Sequence, residues 1–370
     1  MKSNKLTTPV LFLVFNRPDS TKLVFNAIRD AKPTTLYVAA DGPRKNYQEE
    51  IEKCLAVRAI ATNVDWECEV RTLFRDGNLG CGKGVSSAIT WFFEHESEGI
   101  ILEDDCLPAP EFFPFCTDLL AKYRDDKRIM QIGGDNVLSE HRRDPEYSYF
   151  FSNHNAIWGW ATWKRAWDLY DYKMNQYENI SRKGYFDDHF NTVYEADYFT
   201  WVFKRTFVHP HITWDYQWEF VRRINSGLTI VPQKNLVTNI GFGEEATNTT
   251  GSGEISGNLK LESMDFPLRH PEFVMADTKA DSHGFIKHLT SPSSRIKTII
   301  KRMFPPYIRK KLFEAAFNRY LASYSSQNNT AKSTDKLLLW INLFLSMCES
   351  EMDVVLQLVG GMTGSFLEYF

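Results

Sequence analysis

Glu103, Asp104 and Asp105 stand in a row inside GIILEDDCLPAPEFF, residues 99–113. Three carboxylates this close repel, and each raises the pKa of the others unless a positive charge joins them. A divalent cation that prefers hard oxygen ligands, Mg²⁺ or Mn²⁺, suits such a trio. The bland alternative is a solvated acidic turn, since charge runs usually face water. The surroundings of the trio must decide between the two.

Ile100, Ile101 and Leu102 read as the end of a strand, and Pro108 and Pro110 forbid its continuation. The acids therefore stand where a strand opens into a turn. Upstream, PVLFLVFNRPDS (9–20) is a strand running into a helix capped by Asp19 or Ser20. TTLYVAADGPR (34–44) is a second strand, and YQEEIEKCLAVRAIAT (47–62) has helical periodicity. WECEVRTLFRDGNLG (66–80) is a third strand with a Gly-rich turn, and KGVSSAITWFFEHE (83–96) a helix that leads into the acid-tipped fourth strand. Alternating strands and helices with short links predict a parallel, doubly wound α/β sheet, which binds ligands outside the carboxyl ends of its strands. Asn16-Arg17, Asp41, Arg75-Asp76 and the acid trio all fall at those ends.

The chain has 370 residues, a formal net charge of −4 and 43% hydrophobic content, enough for one large α/β domain plus an appendage. The near-neutral balance argues against nucleic acid as a partner, which calls for a basic stripe. Aromatics make up 14%, with 10 Trp, which suits a cleft offering flat faces to a sugar. The six cysteines show no CxxC pair or zinc spacing and read as free thiols in a reducing compartment. The opening MKSNKLTTPVLFLVF has too short an apolar stretch for a signal peptide, and LLLWINLFLSMC (337–348) falls short of the roughly 20 residues that span a bilayer. A cytoplasmic protein is the expectation.

In order along residues 8–252, the chain resembles the nucleotide-sugar glycosyltransferases of the GT-A fold, and looks closest to the N-acetylglucosaminyltransferase I family. Six segments carry the resemblance: VFNRPDS, VAADG, IILEDDCLPAPEFFPF, IWGWATWKRAW, TWDYQWE and IGFGEEATNT. It implies a mostly parallel sheet flanked by helices and a UDP-sugar donor. By it, Asp105 would coordinate Mn²⁺ (or Mg²⁺) bridging the donor's phosphates, with Glu103 and Asp104 helping to hold ribose and metal waters. Asp41 would contact the uridine, Arg17 would lie near the nucleotide, and Asp215 would match the catalytic base. Thr247 would take the place of a hydroxyl residue on a loop closing over the donor. One departure is Asn248, where the family tends to place His.

Transfer from a nucleoside diphosphate needs the leaving diphosphate neutralised and a carboxylate beside the acceptor hydroxyl. The acids meet the first need, and Asp215 or Glu219 could meet the second, inverting the sugar. Either could instead cap a helix or pair with Arg222 or Arg223. Asp41 with Gly42-Pro43 could be only a turn. RDGNLGCGKG (75–84) does not satisfy a P-loop, because Gly84 follows Lys83, although such a turn could let backbone approach the donor. Trp158 and Trp160, on either side of Gly159, are candidates for an acceptor-sugar platform, although each alone reads as core. His209 and His211 lack nearby ligands and read as structural. The expected acceptor is a glycan or lipid-linked sugar of a cell-surface polysaccharide pathway. A sugar-nucleotide pyrophosphorylase, or a catalytically inactive sugar-binding protein of the same fold, is the alternative.

The organisation expected is a catalytic domain over 1–277, a basic amphipathic helical segment over 278–322, and a linker with an apolar tail over 323–370. The stretch 294–317 alternates bases with apolar residues on two short helices broken at Pro305-Pro306, a composition suited to peripheral contact with an anionic membrane face.

Overall fold

The computed structural model of the chain describes residues 5–138, 143–241, 259–290 and 292–327. β1 (Val10–Val14) shows why the first half is a sheet. Val10, Phe12 and Val14 join one apolar cluster while Leu11 and Leu13 join another, and all five are buried. A strand with apolar residues on both faces must be covered on both faces.

The covering elements alternate along the chain. α1 (Pro18–Ala31), β2 (Thr35–Ala40), α2 (Glu49–Ala61), β3 (Glu69–Phe74), α3 (Gly80–Phe93) and β4 (Glu98–Glu103) follow one another. β5 (Cys106–Pro108), α4 (Phe112–Lys122), β6 (Ile129–Gly133), β7 (Tyr149–Ser152) and β8 (Trp160–Trp163) come next. Three short helices, α5 (Lys164–Trp167), α6 (Tyr177–Arg182) and α7 (Tyr185–Asp188), lead to α8 (Val193–Val208) and α9 (Asp215–Ile224). β9 (Leu228–Pro232), β10 (Val237–Asn239), α10 (Thr278–Leu289), α11 (Pro292–Arg302) and α12 (Pro306–Gln327) complete the order.

Eight strands form one sheet in the order β3-β2-β1-β4-β8-β6-β9-β7. β3, β2, β1 and β4 run parallel, β8 and β7 run against the rest, and so most of the sheet points one way. α1, α2 and α4 supply Phe25, Val57 and Phe112 to the cluster on one face; α3, α8 and α9 supply Phe92, Phe203 and Trp218 to the other. This is the expected α/β architecture, a mostly parallel sheet flanked by helices. Removing one such ring, as in Phe12→Ala, costs about 3–5 kcal/mol.

Two element boundaries differ from expectation for local reasons. α1 has neither Asp19 nor Ser20 as its cap; it starts on Pro18, whose missing N–H and preset φ suit a first position, with Arg17 as the cap residue. α3 starts at Gly80 rather than Lys83, because Gly80 takes a φ of +78° that lets the chain turn into the helix there. β5 and β10 form a separate antiparallel pair, which places Asn239 opposite Cys106.

The described residues fall into two compact units, the first ending at Leu289 and the second beginning at Thr290. The first thus runs one helix past the boundary expected at 277. In the second, α11 and α12 are the two expected helices, and α12 continues through Ser323 to Gln327, where a linker was expected. Among the described residues no helix is long and apolar enough to cross a membrane.

Candidate active site

The register of the parallel strands fixes the site's floor. Val14 pairs with Ala40, Ala40 with Phe74, and Leu13 with Glu103. The four strands therefore end side by side, and with neighbours about 4.8 Å apart Phe15–Arg17, Asp41, Arg75 and Asp104–Asp105 emerge along one edge.

The three acids do not stand free. Asp104 turns back and accepts the Phe15 N–H at 3.0 Å. Asp105 accepts from Arg17 Nη1 at 2.7 Å, in a pair whose side chains are only 16% and 18% exposed. A positive charge is thus already beside the trio, and it comes from the protein. It is one cation against three acids. Burial, then the neighbouring carboxylates, hold Glu103 and Asp104 well above the usual carboxylate range. The β5–β10 pair closes the corner from above: Ile240 N donates to Asp105 O at 2.8 Å, and a Cβ on Gly241 would lie 2.3 Å from Asp105 Oδ2 and 2.8 Å from Arg17 Nη1. Only a residue without a side chain fits there.

Glu103 connects this corner to Asp215. The Trp214 side chain and the Asp215 charge both act on the Glu103 carboxyl, Trp214 lowering its pKa and Asp215 raising it. Trp214 is held by stacking on Trp160, with ring centres 5.5 Å apart, and its carbonyl accepts from Tyr170 at 3.1 Å. Asp215 opens α9, takes the Thr213 hydroxyl on Oδ1, and is pushed above its ordinary range by burial. A carboxylate so raised is better matched to taking a proton near neutral pH.

Asp41 lies at the same edge, engaged by backbone. Its oxygens accept from Leu79 N at 2.9 Å, Gly80 N at 3.1 Å and Gly42 N at 3.1 Å. The Leu79 and Gly80 amides stand at the start of α3 and lack partners within the helix, so Asp41 anchors the Gly-rich turn to β2. The glycines of that turn serve chain-on-chain contact. A Cβ on Gly82 would lie 2.4 Å from Pro210 O, and Gly82 N donates to His211 O at 3.2 Å. His209 and His211 belong to the segment pressed against α3, just ahead of Asp215.

Two sequence candidates are placed inside the protein. Glu219 is fully buried, accepting from Arg222 Nη2 at 2.5 Å and Arg223 Nε at 2.7 Å, and those arginines hold it down to about 2. It therefore takes the ion-pair alternative, and a carboxylate this buried and this weakly basic is poorly placed to take a proton from an acceptor hydroxyl. Trp160 is 1% exposed, packed among Trp167, Trp214 and Trp218, and so offers no free face to a sugar. Its part is to seat Trp214. Trp158 is partly buried, and its N–H donates to Asp135 at 3.2 Å. Thr247 and Asn248 lie outside the described residues.

Asp135 was missed by sequence reading. It follows β6 at Gly133-Gly134, is buried, and is pushed up to about 7 by desolvation. The signal used for the acid trio, a carboxylate just past a strand end, was present in IGGDN as well. Among the described residues no group of three or more His, Cys, Asp or Glu side chains is arranged to hold a metal ion. The corner's donor set is nevertheless all hard oxygen, which fits Mg²⁺ or Mn²⁺ if other ligands come from a substrate's phosphates and water.

No family model and no curated protein matches the chain. Solved structures overlap it in part. Mouse xyloside xylosyltransferase 1 covers 59% of this chain and 81% of its own, at 11% identity and a TM-score of 0.28. HddC from Yersinia pseudotuberculosis covers 43% and 78%, at 12% identity and 0.26. A UDP-glucose pyrophosphorylase bound to UDP-glucose covers 40% and 64%, at 10% identity and 0.23. Overlaps this slight leave the site to be read from its own residues.

Proposed function

We propose that this chain is a glycosyltransferase that takes a sugar from a UDP-sugar and places it, with inversion, on a hydroxyl of a glycan or lipid-linked acceptor. The observation that carries the reading is the joining of the acid corner to Asp215 through Trp214 and Glu103. One end of the site is built for a strongly charged leaving group and the other for a proton acceptor.

Asp105, backed by Glu103 and Asp104, would hold Mn²⁺ or Mg²⁺, which when bound neutralises the diphosphate that leaves. Arg17, paired with Asp105, holds that carboxylate turned toward the edge. Asp41 borders the place proposed for the nucleotide's base and fixes the turn beside it. Asp215 takes the proton from the acceptor hydroxyl as the new glycosidic bond forms and the bond to the diphosphate breaks. Trp158 is the remaining aromatic face for the acceptor sugar, and Thr247 is proposed for the loop over the donor.

The test is UDP release from a panel of UDP-sugars with and without Mn²⁺. Turnover that needs the ion and disappears in Asp105→Ala is the expected result. Asp215→Asn should keep donor binding and lose transfer by at least 10²-fold, the usual scale for a general base. Metal-independent turnover would remove the ion from the reading, and full transfer by Asp215→Asn would remove the base. Release of pyrophosphate from UTP and a sugar phosphate would instead identify a pyrophosphorylase.

A further inference from the structure

The C-terminal unit reverses the charge of the chain. Residues 294–317 contain seven bases and one acid, Glu314, in a protein of net charge −4. The structure folds them into α11 and α12 with a bend at Met303, Phe304 and Pro305. The bend is tightly tied. Phe304 N donates to Lys301 O at 3.3 Å, closing α11, and Pro305 O accepts from Ile308 and Arg309 at 3.0 and 3.1 Å, opening α12. Lys301 Nζ lies 5.7 Å from the centre of the Phe313 ring, which draws the two helices together at the elbow.

The elbow presents its apolar side chains outward. Ile299 is 50% exposed, Met303 80% and Tyr307 66%. Ile299 lies in the last turn of α11, Met303 is the first residue past it, and Tyr307 follows across the bend in the first turn of α12. Single exposed hydrophobics are ordinary, but a group of them marks a contact. Lys301, Arg302, Arg309, Lys310 and Lys311 flank this group. An apolar wedge ringed by bases is the composition that enters the headgroup boundary of an anionic bilayer. Past Lys311, the aromatic stripe of α12 is withdrawn from solvent: Phe313 stacks on Phe317, and Phe317 and Tyr320 are each 1% exposed. The contact is therefore confined to the elbow instead of spreading over 294–317.

We propose that the α11–α12 elbow docks the chain on an anionic lipid surface, with Met303 and Tyr307 entering the interface and the flanking bases meeting lipid headgroups. This holds whether or not the acid corner transfers sugar. The test sediments the full chain with vesicles of phosphatidylcholine alone or with phosphatidylserine added. The wild type should pellet with the anionic vesicles and stay in solution with the neutral ones. K310A/K311A should weaken partitioning about thirty-fold, each base near the surface contributing a factor of about five. M303D/Y307D should weaken it at least about ten-fold, while Leu55→Asp, at an exposed site on α2, should change nothing. Hydrogen exchange on the wild type needs no variant and should slow within 299–311 when anionic vesicles are added. Wild type that never pellets, protection that falls elsewhere, or M303D/Y307D pelleting as well as wild type would overturn the proposal. The last result would leave only a surface that collects polyanions.

Discussion

Gly241 is the residue on which the acid corner depends most narrowly. Its missing side chain lets β10's end pass over the Asp105–Arg17 pair, where a methyl group would meet Asp105 Oδ2 at 2.3 Å and Arg17 Nη1 at 2.8 Å. The substitution Gly241→Ala should leave circular dichroism unchanged, since the residue lies past the last strand of its pair. Turnover should fall about 10²-fold, the usual consequence of moving a reacting group by an ångström. Arg17 is needed for a related reason. Arg17→Met leaves Asp105 without its guanidinium in a partly buried corner, at a cost of about 1–3 kcal/mol, read as a lower urea midpoint with an unchanged slope. A variant with both stability and turnover intact would show that the pair neither shapes the corner nor steadies it.

At the scale of elements, the site is a meeting of one sheet edge with one helix start. The edge was legible. Apolar runs broken by Asn16-Arg17-Pro18, Asp41-Gly42-Pro43 and the three acids announce where strands stop, and parallel alternation brings those stops together. What each polar group then binds was not legible. Arg17 and Asp105 are 88 positions apart, so nothing local tells that they pair. Glu219 and Asp215 share α9, yet four residues of helix carry Glu219 inward to Arg222 and Arg223 while Asp215 stays at the open end. Trp160 reads as a sugar platform because it shares Gly159 with Trp158; its faces are taken by Trp214 and Trp218, which arrive more than fifty residues later. The Gly-rich turn misled in the same way, since its open backbone is met by Pro210 and His211. Gly82→Ala tests that contact. A Cβ 2.4 Å from Pro210 O must push the segment ahead of α9, so stability should drop by about 1–3 kcal/mol in urea unfolding. Asp215 moves with that segment, and transfer should fall with it. Loss of stability alone, with transfer unchanged per folded molecule, would separate the turn from the site.

For the whole molecule, one group that costs stability in acid lies behind the site. His154 packs between Phe199 and Phe285, accepts from Arg223 Nη2 at 2.8 Å, and faces Glu195, Glu219, Arg222 and Asp281. Burial, helped by Arg223, lowers its pKa from 6.5 to about 4. Between those values the unfolded chain binds a proton that the folded chain refuses, so stability falls as pH drops through this window, by about 3 kcal/mol for His154 alone. Glu219 takes over below it. Its carboxylate, held at about 2 against an ordinary 4.5, favours the fold above pH 4.5 and loses that contribution as pH falls toward 2. Glu195, which burial holds above its ordinary range, works in the opposite sense just above pH 4.5 and softens the upper window. His154 and Glu219 therefore each remove stability as pH falls, in two adjoining stages, against the opposite contribution of Glu103, Asp104 and Asp135, whose raised pKa values favour the fold as they take up protons. His154→Gln keeps an acceptor for Arg223 and removes the titrating ring, so it should flatten the upper stage and leave the lower one in place. An unchanged upper stage in that variant would place the acid sensitivity elsewhere. Because this network holds α9 from its buried side, the same loss should reach Asp215, and transfer should decline in step with melting temperature as the buried ion pairs loosen.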